Sequence, residues 1–174
     1  KLRKTTFAGE EKINSDTLID THGAYVVAPR NVAHRLNVPF VDATKITHDI
    51  ETELGIEGSR KLHMWFRPGE CSQIPKGRQD NTHYNVYGAR LVANALVDEI
   101  GKQVPELKKH VRHYDYVVST RGRGNYFTLQ DAVDAVPAGK RVKVLVLDGS
   151  WKKPENMKGK KIKFILQFGA KITD

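Results

Sequence analysis

The sequence predicts an α/β protein whose character changes partway along the chain. From about residue 23 to 103, helix-period segments flank a short apolar run over brief links, the alternation of an α/β layer. After Gly101 the pattern turns to short β-rich runs set apart by glycine turns, with one short helix among them. Charge divides in the same way. Residues 1–103 carry 14 basic and 13 acidic side chains, residues 104–174 carry 15 and 7, so +8 of the net +9 falls in the second part.

In chain order, residues 1–14 are polar and aperiodic and read as an irregular lead-in, after which Ser15-Asp16 offer a cap for a short turn. From Gly23 to Leu36, Val26, Val27, Val32, Ala33 and Leu36 recur at helical spacing, with Pro29 tolerated only near the helix start or at a kink. Val38-Pro39-Phe40-Val41-Asp42 reads as a buried parallel strand ending in an acid where a loop begins. Thr44 to Leu54 is a second helix, with Ile46, Ile50 and Leu54 inward and Gly55 as its stop. A turn over 58–62 leads into a long loop, 64–79, holding Pro68-Gly69 and Pro75. Loops of this length in compact domains are more often functional than not. A helix from Asn85 to Ile100 then buries Val86, Ala89, Val92, Leu96 and Ile100.

Pro105 and the charged stretch to His113 read as a linker. Tyr114–Ser119 is a strand, Arg121-Gly122-Arg123-Gly124 a turn, and Phe127 to Val136 a short helix with Leu129, Ala132, Val133 and Val136 on one side and Pro137 ending it. Val142–Leu147 and Ile162–Phe168 are strands joined by a Lys-rich connection. Such spacing suggests the start of a sheet or solenoid, without a full repeat in this length. The expected organisation is a first domain at 1–103, a linker at 104–113 and a second domain at 114–174.

Composition narrows the classes. Of 174 residues, 39% are hydrophobic, low for a self-sufficient globule yet above the disordered range. The single cysteine, Cys71, excludes an internal disulfide. No apolar run approaches about 18 residues, so no membrane-spanning helix is expected. Lys1-Leu2-Arg3-Lys4 has no apolar core behind it, so no signal peptide is visible. The basic second part suits a polyanionic partner, nucleic acid or acidic polysaccharide. Stretches such as Lys158-Gly159-Lys160-Lys161 equally suit a solvated face.

The stretch with the most chemistry is Gln79-Asp80-Asn81-Thr82-His83-Tyr84-Asn85, at the opening of a helix. An acid three residues before a histidine on a tight turn brings both side chains to one point. The carboxylate fixes the imidazole tautomer and the ring takes the proton of a nucleophile. The same pattern is also that of a helix N-cap followed by a surface histidine. Other residues invite functional readings beside plain ones. Cys71 shares the long loop and is either a nucleophile for His83 or a bland thiol. His110 and His113 supply two metal ligands without companions, or a solvated linker. Arg121, Arg123, Tyr126 and Phe127 form either an RNA-stacking group or a β-turn. His22 and His63 line the cleft of His83 or satisfy local hydrogen bonds. Trp65 and Phe66 form a sugar platform or pack a core. No cofactor and no metal are expected.

Two family resemblances emerge. Asp20-Thr21-His22-Gly23-x-Tyr25, then Val38-Pro39-Phe40-Val41-Asp42, Glu53-Leu54-Gly55, and Asp80-Asn81-Thr82-His83-Tyr84 with Gly88-Ala89 occur in order over about residues 17–103. This stretch resembles the C-terminal half of a rhamnogalacturonan acetylesterase-type SGNH (GDSL-like) hydrolase. The resemblance implies part of a three-layer, flavodoxin-like fold, with Asp80 and His83 as the catalytic acid and base. The family's Gly-Asp-Ser nucleophile motif and its oxyanion Gly and Asn do not occur here. The implied object is therefore a C-terminal piece of a larger enzyme, essentially inactive by itself. Further on, Val117-Val118-Ser119, a glycine turn, Asn125 through Pro137, Val142–Leu147, Gly149 and Trp151 resemble the opening of a pectin methylesterase-like right-handed parallel β-helix with its capping helix. No catalytic residue carries over from that half. Together the resemblances imply a bifunctional pectin esterase. They also imply an acidic pectic polysaccharide as partner and a secreted or periplasmic location. The competing expectation is a non-catalytic basic module that binds a polyanionic polysaccharide or nucleic acid.

Overall fold

The structure, a computed structural model, describes residues 6–7, 18–19 and 22–174. The rest of the lead-in, the Ser15-Asp16 turn and Asp20-Thr21 lie outside the described residues. The chain forms two compact units, Lys1–Val111 and Arg112–Asp174. It is a mixed α/β protein with parallel sheets, both of which lie in the second unit.

In the first unit, β1 (Thr6–Phe7) and β2 (Leu18–Ile19) make a short antiparallel pair. A 3-10 turn at Gly23–Val26 runs into helix α1, Val27–Leu36, which places Pro29 in the first helical turn, where it displaces no intrahelical hydrogen bond. Asn37, left-handed at φ 50°, ends α1. The parallel strand expected at Val38–Asp42 does not form: the segment is irregular and pairs with no strand among the described residues, and Val38 is half exposed. Its terminal acid acts as a connector instead. Asp42 caps helix α2, Ala43–Leu62, by accepting from Lys45 N at 3.0 Å, and it accepts from Arg30 Nε of α1 at 2.6 Å. That guanidinium holds the Asp42 carboxyl below its ordinary range against a smaller opposing effect of burial. Gly55 breaks α2 where a stop was expected, at φ 65°, and the helix then resumes to Leu62.

Helix α3, Val86–Gln103, opens on Asn85, whose side chain accepts from Gly88 N at 2.9 Å. It meets the end of α2 at a very close approach. A Cβ on Gly88 would stand 2.2 Å from the carbonyl oxygen of Leu62, itself fully buried. The stretch expected as a linker carries a further helix, α4 (Pro105–Lys108), packed on α3. The inward residues differ from expectation. Ala33, Leu62 and Val92 are buried, whereas Val27, Val32, Leu36, Leu54 and Val86 are 37–61% exposed.

The second unit is built from β3 (Tyr116–Val118), α5 (Leu129–Asp134), β4 (Arg141–Val146), β5 (Ser150–Lys152), β6 (Lys161–Leu166) and β7 (Lys171–Thr173). Strands β3, β4 and β6 form one parallel sheet, and β5 and β7 form a second parallel pair. Arg141 faces Lys161 and Val146 faces Leu166, a constant offset of 20 residues. Val142, Val144 and Val146 point into the core while Arg141 and Lys143 point out, the period-2 alternation of a half-buried sheet. The core joins these valines to Val118, Leu129, Ala132, Val136 and Ala170. Thr128 caps α5 by accepting from Asp131 N at 3.1 Å. Gly124 is required by contact, since a Cβ there would stand 2.3 Å from Val117 O. The last long strand stops at Leu166, short of the expected Phe168, which is fully exposed.

Candidate active site

The loop between α2 and α3 is pinned at three places. Phe66 and Arg78 exchange backbone hydrogen bonds of 2.9 Å in both directions. Met64 N donates to His83 O at 3.0 Å, and Asn85 Nδ2 donates to the carbonyls of Lys61 and His63 at 2.8 and 2.9 Å. These bonds answer the polar backbone of a long loop and leave its last residues in a defined turn before α3.

That turn brings Asp80 and His83 together. Asp80 Oδ2 lies 2.8 Å from His83 Nδ1, and Asp80 Oδ1 accepts from the amides of Thr82 (2.7 Å) and His83 (3.0 Å). Arg78 Nη2 donates to Oδ2 at 2.9 Å. The Asp80 side chain is 10% exposed and the His83 side chain 66% exposed. Burial alone raises the Asp80 carboxyl. The two amides and the His83 ring together outweigh it and hold the group far below the usual carboxylate range. An ionised Asp80 accepts only, so Nδ1 of His83 carries the proton and Nε2 is left as the acceptor on an open surface. A carboxylate thus fixes a ring whose outer nitrogen can take a proton. The two backbone bonds to Oδ1 also make Asp80 the local cap of the turn, so the N-cap reading and the acid–base reading describe one geometry.

Beneath this turn is a buried polar group that the sequence reading missed. Glu51 of α2 accepts from Ser59 Oγ and from Tyr84 Oη, each at 2.9 Å, and His63 Nε2 stands 3.8 Å from it. His63 donates through Nδ1 to Ser59 O at 2.8 Å and its ring lies 4.7 Å from that of Tyr84. Burial, and then the Glu51 charge, push the Tyr84 phenol above its ordinary value. Glu51 and Ser59 are eight apart, a helical spacing that marks one face only when the Gly55 break is passed over. His63 is accordingly a buried structural residue.

Cys71 Sγ donates to Gln73 Oε1 at 3.5 Å, while the His83 ring takes Asp80 as its partner. His22 stands at the start of the 3-10 turn. Trp65 Nε1 donates to Asn81 Oδ1 at 2.6 Å, and the Arg60 guanidinium lies 4.6 Å over its ring. His110 and His113 are exposed, and among the described residues no group of three or more His, Cys, Asp or Glu comes together to hold a metal. In the second unit the Arg-Gly-Arg-Gly segment is a turn organised by Asp148, a residue the sequence reading passed over. Asp148 accepts from Ser119 Oγ (2.8 Å), Thr120 N and Oγ1 (both 2.7 Å) and Arg123 Nη2 (3.0 Å). Tyr126 packs edge-on against Tyr116 at 5.2 Å, so it is not free to stack on a base. No helix of the described residues is long and apolar enough to cross a membrane.

The site defines a class before it defines a relative: a carboxylate–histidine pair set on the loop that opens a helix. Over 91 residues, 52% of its length, the chain is 35% identical to rhamnogalacturonan acetylesterase RhgT of Bacillus subtilis (strain 168). It spans 39% of that relative's length. This partial likeness supports a relationship to SGNH-type esterases. No protein-family model and no solved structure matches the chain.

Proposed function

We propose that the first unit is the acid–base half of an SGNH-type carboxylic ester hydrolase that removes acetyl groups from pectic polysaccharide. The carrying observation is the Asp80–His83 pair at 2.8 Å with the histidine open to solvent. Support comes from the partial likeness to an acetylesterase. In this reading the nucleophile is a serine outside the present 174 residues. Its Oγ attacks the acetyl carbonyl carbon while His83 Nε2 takes the hydroxyl proton. The ester C–O bond to the sugar then breaks, and Nε2 returns the proton to the departing sugar oxygen. Water repeats the sequence and releases acetate. Asp80 holds the ring and balances its transient positive charge, and backbone donors outside this chain steady the oxyanion.

We read the second unit as the opening of a β-helix. Successive strands pair in parallel, at offsets of 28 residues for β3–β4, 20 for β4–β6 and 21 for β5–β7, and a helix sits ahead of the first full-length strand. In this reading an acetylesterase-like part is joined to a pectin methylesterase-like part, and the enzyme acts on an acidic polymer outside the cytoplasm. The test is acetate release from acetylated rhamnogalacturonan by the full gene product containing this chain. His83→Ala should lower the rate by about 10³-fold or more, and the isolated 174-residue chain should release none. Unchanged release by the His83→Ala protein would overturn the reading.

A further inference from the structure

Next to the acid–base pair, the long loop and the end of α2 border an open cleft of about 830 Å³ whose lining includes Glu57, Arg60, Trp65, Phe66, Arg67 and Gln79. Gln79 directly precedes Asp80, and Trp65 is tied to the same turn through Asn81 at 2.6 Å. We propose that this cleft is a subsite for a uronic-acid residue of the polysaccharide, with Arg60 taking the sugar carboxylate and the Trp65–Phe66 pair taking the apolar ring face. The proposal rests on the pectic reading of the dyad given above.

The chemistry follows from how Arg60 is held. Its guanidinium lies 4.6 Å over the Trp65 ring, which fixes a long side chain that otherwise loses rotamer freedom on binding. A flat, fixed fork matches the two oxygens of a carboxylate. The protein already supplies one there: Glu57 Oε1 accepts from Arg60 Nη1 at 2.6 Å. Glu57 is 80% exposed, so it is a carboxylate that an incoming sugar acid can displace at little cost. Arg67 is exposed on the same wall and adds a second cation, while its backbone amide holds the loop by donating to Glu70 at 2.6 Å. Aromatic rings beside paired cations suit an anionic sugar better than a neutral one, whose hydroxyls would leave the guanidinium desolvated without a counter-charge.

The test is a titration of the whole 174-residue chain with tri-galacturonate, followed through the two tryptophan indole N–H signals, Trp65 being assigned with Trp65→Phe. The Trp65 signal should shift to saturation and that of Trp151 should stay. Arg67→Ala and Arg60→Lys should each weaken binding roughly five- to tenfold. Glu57→Gln, by removing the competing carboxylate, should tighten it. A Trp65 signal that does not move, or that moves equally with a neutral tri-galactose or a short oligonucleotide, would overturn the subsite. Acetate release is a separate readout. A protein that depends on His83 for release but leaves Trp65 silent loses only this inference.

Discussion

Asp80 gathers two amides, an imidazole and a guanidinium on one carboxylate, and the acid range reads out that convergence. Its native pKa lies below the ordinary 3.8. A depressed acid stabilises the fold fully above its unfolded pKa, and the contribution is lost as pH falls through that value toward the native one. The native chain should therefore lose stability steeply below about pH 4. Asp80→Asn should be less stable by about 1–3 kcal/mol at neutral pH and should lose less stability than the native chain over that acid limb, where Asp42 and Asp148 still contribute. Denaturant midpoints by circular dichroism at pH 7 and pH 3 check this. A wild-type and a variant that lose equal stability between the two would count against the hydrogen-bond pattern at Asp80.

At the scale of elements, the turn is aimed by the docking of α3 on α2. Leu62, Asn85 and Gly88 make that contact, and Gly88 has no room for a methyl group beside the Leu62 carbonyl. Gly88→Ala should destabilise the first unit by about 1–3 kcal/mol, because helix backbone rather than a side-chain tip must give way. Thermal unfolding checks the cost, and a change below a few tenths of a kcal/mol would show that α3 shifts freely. Much of this scale was legible in the sequence. The four longer helical segments, the Gly55 break and the valine alternation of β4 are local patterns, and they form. Where partners decide, the sequence was opaque. Val38–Asp42 has strand composition but no partner strand among the described residues, and Asp42 serves as a cap instead. Strands β5 and β7 have three residues each, too few for a period. At the site, the i, i+3 spacing revealed Asp80 and His83. Glu51 stayed hidden because its partner Tyr84 is 33 residues away.

Across the whole molecule, charge is the property that local reading captures least and composition captures best. The chain carries +9, with 15 basic and 7 acidic side chains in residues 104–174. Outward-facing Arg141, Lys143, Lys161 and Lys163 stand opposite one another in register on β4 and β6. Like charges across neighbouring strands repel, and a polyanion laid over them relieves that repulsion. Retention of the chain on immobilised polygalacturonate should be strong at low ionic strength and largely lost by about 0.5 M salt, where the screening length drops to a few ångströms. Retention that ignores salt would mean that these cations do not contact the polymer.

The proposed chemistry turns on one ring, that of His83. Nitrogen-15 NMR of His83 at alkaline pH, where imidazoles are neutral, reports which ring nitrogen holds the proton. The geometry predicts the Nδ1–H tautomer in the native chain and its loss in Asp80→Leu, with Nε2 unprotonated and able to act as a base. A native His83 protonated on Nε2, or exchanging freely between the two forms, would contradict the claim that Asp80 sets this histidine for acyl transfer.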